Sequence, residues 1–161
     1  MSFLTHEQNG LVWLTSSLLD GVCHGFSTRQ GGVSQPPFDT MNLAPGRDDD
    51  PAAVRENYRR FCGTLGVDPA RTVLSKQVHE ATVRLCTEAD AGKGLLSPRD
   101  YAADALITRD ANLPLVVFSA DCGILLLYDP IHRAAGAIHA GWRGCAAGIP
   151  EKTVQAMTAA F

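Results

Sequence analysis

The chain has 161 residues, of which 45% are hydrophobic and 19% are charged, and its formal net charge is −3. These values are typical of one soluble globular domain with a sizeable core, and they exclude a disordered chain. The slight acidity argues against a basic surface for nucleic acid, and the sequence shows neither a secretory leader nor an apolar run of membrane-spanning length. We therefore expect a cytoplasmic protein that binds neither nucleic acid nor membranes.

In the N-terminal part, apolar runs bounded by turn residues predict strands at residues 11–15 and 22–27. The second run leads into Arg29, which is followed by Gly31 and Gly32. This turn allows two interpretations. Either the glycines make a turn that leaves Arg29 solvated, or they form a backbone concavity in which Arg29 binds a phosphate or a carboxylate.

A helix that covers the core is predicted to follow. Asp50 is a suitable N-cap, Pro51 suits the first helical position, and Gly66 is a natural stop. Apolar residues recur between them at helical spacing. The three consecutive aspartates 48–50 fit this helix start better than a site for a divalent cation.

The C-terminal part is rich in predicted strands, at residues 72–78, 82–86, 103–108, 113–118, 124–128 and 134–138. His79 lies beside one strand end, Cys122 lies between two strands, and His139 directly follows the last one. After His139, small residues and Arg143 lead into a helical pattern from about Ala146. Such a strand-to-helix junction suits an anion.

His79, Cys122 and His139 are the metal-ligand candidates of the chain. Two imidazoles and a thiolate make a good zinc set, and three protein ligands leave the fourth position for water or substrate. The same atoms also allow a metal-free mechanism, in which Cys122 is the nucleophile, His139 is its base and Asp121 orients the imidazole. Spacing does not separate the two, so both stay open.

The remaining cysteines and histidines are expected to be structural. The five cysteines are scattered and form no Cys-x-x-Cys pair, which indicates reduced thiols rather than a disulfide framework. His24 and His132 fit structural or exposed positions. A multicopper site needs more imidazoles than the five histidines of this chain supply, whereas a single copper ion replacing zinc is feasible.

Several motifs occur together and in order along the chain, namely GFSTRQGGVS, SKQVHE, ADALIT, SADCGILLLYDP and HAGWRG. Together they resemble the YfiH-type laccase-domain family, the multicopper polyphenol oxidase-like proteins, over nearly the whole chain. The resemblance implies one α/β (α+β) domain, residues 1–161, with layered mixed β-sheets covered by helices. It also implies a zinc site formed by His79, Cys122 and His139, with Cys122 and His139 in catalytic roles.

The same resemblance implies a purine nucleoside enzyme. Its expected reactions are phosphorolysis of adenosine, inosine and methylthioadenosine to a base and ribose 1-phosphate, and deamination of adenosine. Arg29 and Arg143 are the candidates for holding phosphate. Other descriptions of the family give a copper polyphenol oxidase or an editing role in peptidoglycan synthesis, and a Cys-His hydrolase is the remaining alternative.

The chain departs from the family pattern in three places. Glu80 stands where the family usually has glycine, and Ile124 stands where it usually has proline. Neither change removes a metal ligand, but Glu80 adds charge near the site. The C-terminal third of the family has no counterpart after Phe161, where an apolar helical stripe ends without a stop signal, so we expect the domain to be incomplete.

Overall fold

The computed structural model describes residues 2–161, which form two compact units. The first unit ends at Pro69, and the second spans Ala70–Phe161. None of the helices within residues 2–161 combines the length and the apolar composition that crossing a bilayer requires. All of the candidate metal ligands belong to the second unit.

The first unit contains a three-stranded antiparallel sheet and one long helix. The strands are paired in sequence order and the helix follows them: β1 Phe3–Gln8, β2 Leu11–Ser16, β3 Phe26–Ser27 and α1 Pro51–Leu65. Leu11, Trp13 and Met41 form the buried centre of this unit, with Phe61 and Leu65 of α1 packed against them. β1 was not predicted, because only one of its six residues is even half-buried and it carries no apolar period.

Helix α1 begins and ends where the sequence predicts. The Asp50 side chain accepts a hydrogen bond from the N–H of Ala52, and Pro51 occupies the first turn. At the other end, Gly66 adopts a left-handed conformation and donates to carbonyls of the last turn. The predicted apolar face is the buried one, since Val54, Tyr58 and Cys62 are almost fully buried.

The second unit contains two sheets and two helices. Its elements are β4 Val73–Leu74, β5 Val83–Leu85, β6 Ala105–Thr108, β7 Leu115–Val116, β8 Gly123–Asp129, β9 Ala134–Ala140, α2 Trp142–Ala146 and α3 Ile149–Ala160. Strands β4 and β7 form a parallel pair, while the larger sheet has the order β5-β6-β9-β8 with parallel and antiparallel neighbours. This is the predicted mixed α+β arrangement. Short 3-10 turns at Ser17–Leu19, Pro69–Arg71 and Glu88–Asp90 complete the chain.

Strand β9 is the buried centre of the larger sheet. It pairs with β6 on one side and β8 on the other, and α3 packs against it through Ile149. All seven of its residues are buried or half-buried. A metal ligand at the end of this strand is therefore held on one of the most firmly packed elements of the unit.

Three predictions for strands and helices need correction. β8 was expected to be a buried strand, but it is an edge strand in which Leu125 and Leu126 are exposed. One helix was expected from about Ala146, but the structure has two. Helix α2 starts earlier, at Trp142, and Gly148, whose φ of +76° is left-handed, separates it from α3. Several predicted strands are also shorter than expected, since pairing is limited to two or three residues at β3, β4, β5 and β7.

Candidate metal centre

Three elements of the second unit bring the candidate ligands to one place. His79 lies in the loop between β4 and β5, Cys122 directly precedes β8, and His139 lies near the end of β9. The register of the sheet pairs Gly123 with Ala140, the last residue of β9. Cys122, which directly precedes Gly123, therefore lies beside the end of β9. Residues separated by as many as 60 positions in the sequence thus become neighbours at one edge of the sheet.

The ligand atoms of His79, Cys122 and His139 all lie within 4.8 Å of one another. The two imidazole rings meet edge to face, with centroids 4.7 Å apart and an interplanar angle of 89°. His139 is almost fully buried, Cys122 is half-buried and His79 is exposed. The three predicted ligands therefore lie close together, and His79 is the one exposed to solvent.

Gly141 makes room for this cluster. A Cβ atom at this position would lie 3.2 Å from Cδ2 of His79, 3.4 Å from Sγ of Cys122 and 3.6 Å from Cε1 of His139. All three candidate ligands therefore surround the first of the two glycines in the HAGWRG motif. A side chain there would occupy the space into which the donor atoms converge.

Asp104, directly before β6, is a buried acidic residue that contacts two of the candidate ligands. Its carboxylate accepts hydrogen bonds from the backbone N–H groups of Val78, His79 and Glu80, at 3.2, 2.9 and 3.0 Å. It also lies 2.8 Å from Nδ1 of His139, and its backbone carbonyl accepts the N–H of His139. Asp104 is fully buried, so these bonds are what stabilise its charge.

The charge of Asp104 fixes the orientation of His139. Burial by itself raises the pKa of the Asp104 carboxyl, but the hydrogen bonds from His139 and the three backbone N–H groups outweigh burial, and its pKa lies below the ordinary value. An ionised carboxylate only accepts hydrogen bonds, so Nδ1 of His139 is the donor. Nε2 then carries the lone pair of the neutral ring and is free to bind a metal.

The sequence predicts Asp104 only as part of a strand and does not predict its place beside the candidate ligands. The signal was present, because an aspartate at the head of the apolar run Ala105–Thr108 has to be buried and needs several partners. What the sequence did not show is that these partners include a ligand side chain and the backbone of another ligand.

Gln77 holds the segment that leads to Cys122. Its side-chain amide donates to the carbonyl of Phe118 at 2.8 Å and accepts the N–H of Phe118 at 2.7 Å. A further hydrogen bond, from Oγ of Ser119 to the carbonyl of Cys122, closes the short turn before β8. The loop that carries His79 and the turn that carries Cys122 are thus tied together by one amide group.

The donor set fits a zinc ion. Around tetrahedral zinc with bonds of about 2.0–2.3 Å, donor atoms lie about 3.3–3.8 Å apart, so displacements of about an ångström close the present cluster. Two imidazoles and one sulfur are ligands that zinc prefers, and three protein ligands leave one position open. The space left by the missing Cβ at Gly141 and the Nε2 of His139, which is not the nitrogen bonded to Asp104, also suit a metal ion.

The Cys122 thiol is not activated by its protein surroundings. Burial raises the pKa of Cys122 above its ordinary value, and the neighbouring Asp121 carboxylate raises it further. A nucleophilic cysteine that works without metal needs the opposite shift. Asp121 is exposed and acts on Cys122 here, while the carboxylate that orients His139 is Asp104.

The structure places the two predicted phosphate ligands in different units. In the first unit, Arg29 donates twice to the backbone carbonyl of Asp39 and forms an ion pair with its carboxylate at 3.1 Å. The N–H groups of Gly32 and Val33 are donated within the same unit, so the glycine turn is not a concavity of free donors. In the second unit, Arg143 is exposed in α2 with its guanidinium 5.2 Å from the ring of Trp142.

The other three histidines have partners elsewhere. In the first unit, His6 stacks on Trp13, and His24 accepts the N–H of Ser16. In the second unit, His132 pairs with Asp129 at 2.6 Å. This chain therefore supplies two imidazoles to the cluster, in agreement with the structural roles predicted for His24 and His132.

A family model described as multi-copper polyphenol oxidoreductase laccase matches residues 23–161. The chain belongs to this family. The match runs through every candidate ligand of the centre and confirms the resemblance carried by the motifs. In the family's structures the fold is also shared: a crystal structure of YfiH from Bacillus licheniformis superposes with a TM-score of 0.86 at 29% identity and covers 96% of this chain and 58% of that one.

Other relatives carry a functional name. A purine nucleoside phosphorylase from Streptomyces coelicolor is 42% identical over 139 residues, which are 86% of this chain and 55% of that protein. The purine nucleoside phosphorylase YlmD from Bacillus subtilis is 34% identical and covers 85% of this chain and 50% of its own. YlmD from Geobacillus stearothermophilus superposes with a TM-score of 0.84 at 32% identity, over 93% of this chain and 56% of that one. The chain thus spans about half the length of the relatives it matches.

Proposed function

We propose that this chain carries the zinc centre of a purine nucleoside phosphorylase, with His79, Cys122 and His139 as the ligands. The observation that carries the proposal is their convergence within 4.8 Å around the open space at Gly141. The names of the relatives support the nucleoside substrate, and the choice of donors supports zinc. Because this chain spans about half the length of these relatives, their phosphorylase activity enters here only as part of the proposal.

When bound, zinc supplies Lewis acidity, which polarises an oxygen atom of water or substrate. The residues of the chain do the rest. His139, fixed through Asp104, and Cys122, fixed through the turn before β8, hold the buried side of the centre. His79 forms the exposed side, so substrate enters there.

Phosphorolysis requires a phosphate oxygen to bond to C1′ of the ribose while the bond from C1′ to the purine nitrogen breaks. The base leaves with the electron pair and takes up a proton, and the sugar leaves as ribose 1-phosphate. The protein has to hold a phosphate against the sugar, and an arginine is suited to that because it offers two parallel N–H donors. The proposed holder is either Arg143, two residues beyond Gly141, or Arg29, and the two are alternatives.

We extend the proposal to adenosine, inosine and methylthioadenosine as substrates and to deamination of adenosine. In deamination, a water oxygen adds to C6 of the purine and ammonia leaves from the same carbon. Both reactions place a purine at the exposed side of the centre and need an activated oxygen nucleophile. Because the reacting carbons differ, C1′ in phosphorolysis and C6 in deamination, the nucleoside has to bind in a different orientation for each reaction.

The copper polyphenol oxidase suggested by the family's description is a weaker alternative for this chain. Multicopper catalysis requires a blue-copper site and a trinuclear cluster, both of which are rich in imidazole. Three of the five histidines bond to other partners, so the centre has two imidazoles and one thiol. A single copper ion displacing zinc remains compatible with this donor set.

The proposal is tested by measuring metal content and nucleoside turnover on the same preparation. We expect about one zinc per chain, and release of a free base from inosine only when phosphate is present. Cys122→Ser should lose both the zinc and the turnover, while Cys145→Ser, which changes an exposed cysteine outside the cluster, should keep both. Turnover by metal-free protein that is abolished by alkylation of Cys122 would contradict the proposal and support the Cys-His hydrolase.

A further inference from the structure

We propose that Asp104 is a positioning residue that sets both imidazole ligands of the centre, His139 through its ring and His79 through its backbone. The inference depends on the proposed metal centre and adds to it a residue that does not touch the metal. It follows from two separate groups of hydrogen bonds that both end on Asp104.

The first group acts on the His79 loop. Val78, His79 and Glu80 point three successive N–H groups at the two oxygens of Asp104. This arrangement requires the left-handed backbone of His79, whose φ is +63°, an uncommon conformation for a residue with a side chain. Successive N–H groups that turn inward in this way form a concavity for an anion, and here the anion is a side chain of the same unit.

The second group acts on His139. The Asp104 carboxylate lies 2.8 Å from Nδ1, and the backbone carbonyl of Asp104 accepts the N–H of His139 at 2.7 Å. The ring is held by one bond and its backbone by the other. A carboxylate that accepts from the non-ligating nitrogen of a metal-binding histidine fixes its tautomer and its direction.

The negative charge matters as well as the shape. The carboxylate meets three backbone N–H donors and one ring N–H donor, and it can accept from all of them. An asparagine has one acceptor oxygen, and its NH₂ group would face donors. Asp104→Asn therefore leaves the size of the residue unchanged but breaks the link between the two histidines.

If Asp104 had only a structural role, replacing it would affect zinc binding no more than replacing Asp90, the other buried aspartate of this unit. Asp90 is 4% exposed, accepts the N–H of Thr87 and pairs with Arg84 at 2.8 Å. Its contacts are with residues outside the His79, Cys122 and His139 cluster. Asp90→Asn is thus a matched control that removes a buried charge and leaves the ligands alone.

The experiment has two measurements on the full chain. The first is the tautomer of His139 in metal-free wild-type protein, read from the nitrogen and proton chemical shifts of the ring. We expect the Nδ1–H form. The second is zinc affinity, measured by competition with a chelator. We expect Asp104→Asn to bind zinc about 10–100-fold more weakly, the usual effect of losing such a partner, and Asp90→Asn to bind it as the wild type does.

The outcomes separate this inference from the proposed function. An Nε2–H tautomer of His139 in the wild type, or wild-type zinc affinity in a folded Asp104→Asn variant, overturns the role of Asp104. If Asp104→Asn does not fold, the tautomer of the wild type decides. A wild-type chain that binds no zinc contradicts the proposed function instead, and the tautomer still tests whether Asp104 orients the ring.

Discussion

At the scale of single residues, the proposed centre involves two residues that do not ligate as well as the three candidate ligands. Gly141 contributes empty space, and Asp104 contributes charge and direction. Both act within a few ångströms of the donor atoms. Their substitution therefore affects metal binding in ways that the three ligand positions alone do not reveal.

We predict that Gly141→Ala weakens zinc binding by about tenfold or more while the protein still folds. The new methyl group would lie 3.2 Å from Cδ2 of His79, closer than most Cβ contacts, so we expect the His79 ring to shift away from the other two ligands. The φ of Gly141 is −66°, so the backbone itself accepts alanine. Zinc titration of the variant, together with its thermal unfolding in the metal-free form, provides the measurement.

Gly63→Ala is the matched control. This residue lies within α1, and a Cβ there meets nothing within 4 Å. The variant should keep wild-type zinc affinity and gain about 0.5–1 kcal/mol of stability from the better helix propensity. If Gly141→Ala and Gly63→Ala bind zinc equally well, the space at Gly141 is not what the centre requires.

The sequence predicted the three candidate ligands, which the structure brings together, but not the residues that place them. His79, Cys122 and His139 were selected because imidazole and thiolate are zinc ligands and because they match family motifs. The hydrogen bonds of Asp104 and the open space at Gly141 depend on which chain segments become neighbours. Residue types alone carry no information of that kind.

At the scale of elements, the residues at its two ends were enough to predict where α1 begins and ends. The N-cap, the proline in the first turn and the terminal glycine all act within four residues of the helix end, so the sequence shows them directly. Strands were less predictable, because a strand's length and burial depend on its partner. β8 has the apolar composition of a central strand and lies at an edge, and β4 and β7 pair over two residues only.

We predict that Asp50→Ala lowers the free energy of unfolding by about 1 kcal/mol, within the usual range for losing an N-cap. The Asp50 carboxylate accepts the N–H of Ala52 at 2.8 Å, and alanine leaves that donor without its side-chain partner. Urea unfolding of the variant measures the change. Asp48→Ala, which removes an exposed aspartate outside the cap, should leave the stability unchanged, and an equal loss in both variants would contradict the role of Asp50 as the cap.

At the scale of the whole molecule, the chain shares its fold with relatives that are nearly twice as long. The family model runs from residue 23 to residue 161 and so crosses from the first compact unit into the second. This continuity supports the proposal that residues 1–161 belong to one laccase-like domain. The three candidate ligands, Asp104 and Gly141 all lie in the second unit.

The central claim is that one zinc ion is bound by His79, Cys122 and His139. X-ray absorption at the zinc edge tests it directly on the purified chain. The account predicts one sulfur at about 2.3 Å and two imidazole nitrogens at about 2.0–2.1 Å, with the sulfur missing in Cys122→Ser. Zinc bound without any sulfur, or a sulfur that persists in Cys122→Ser, would contradict it.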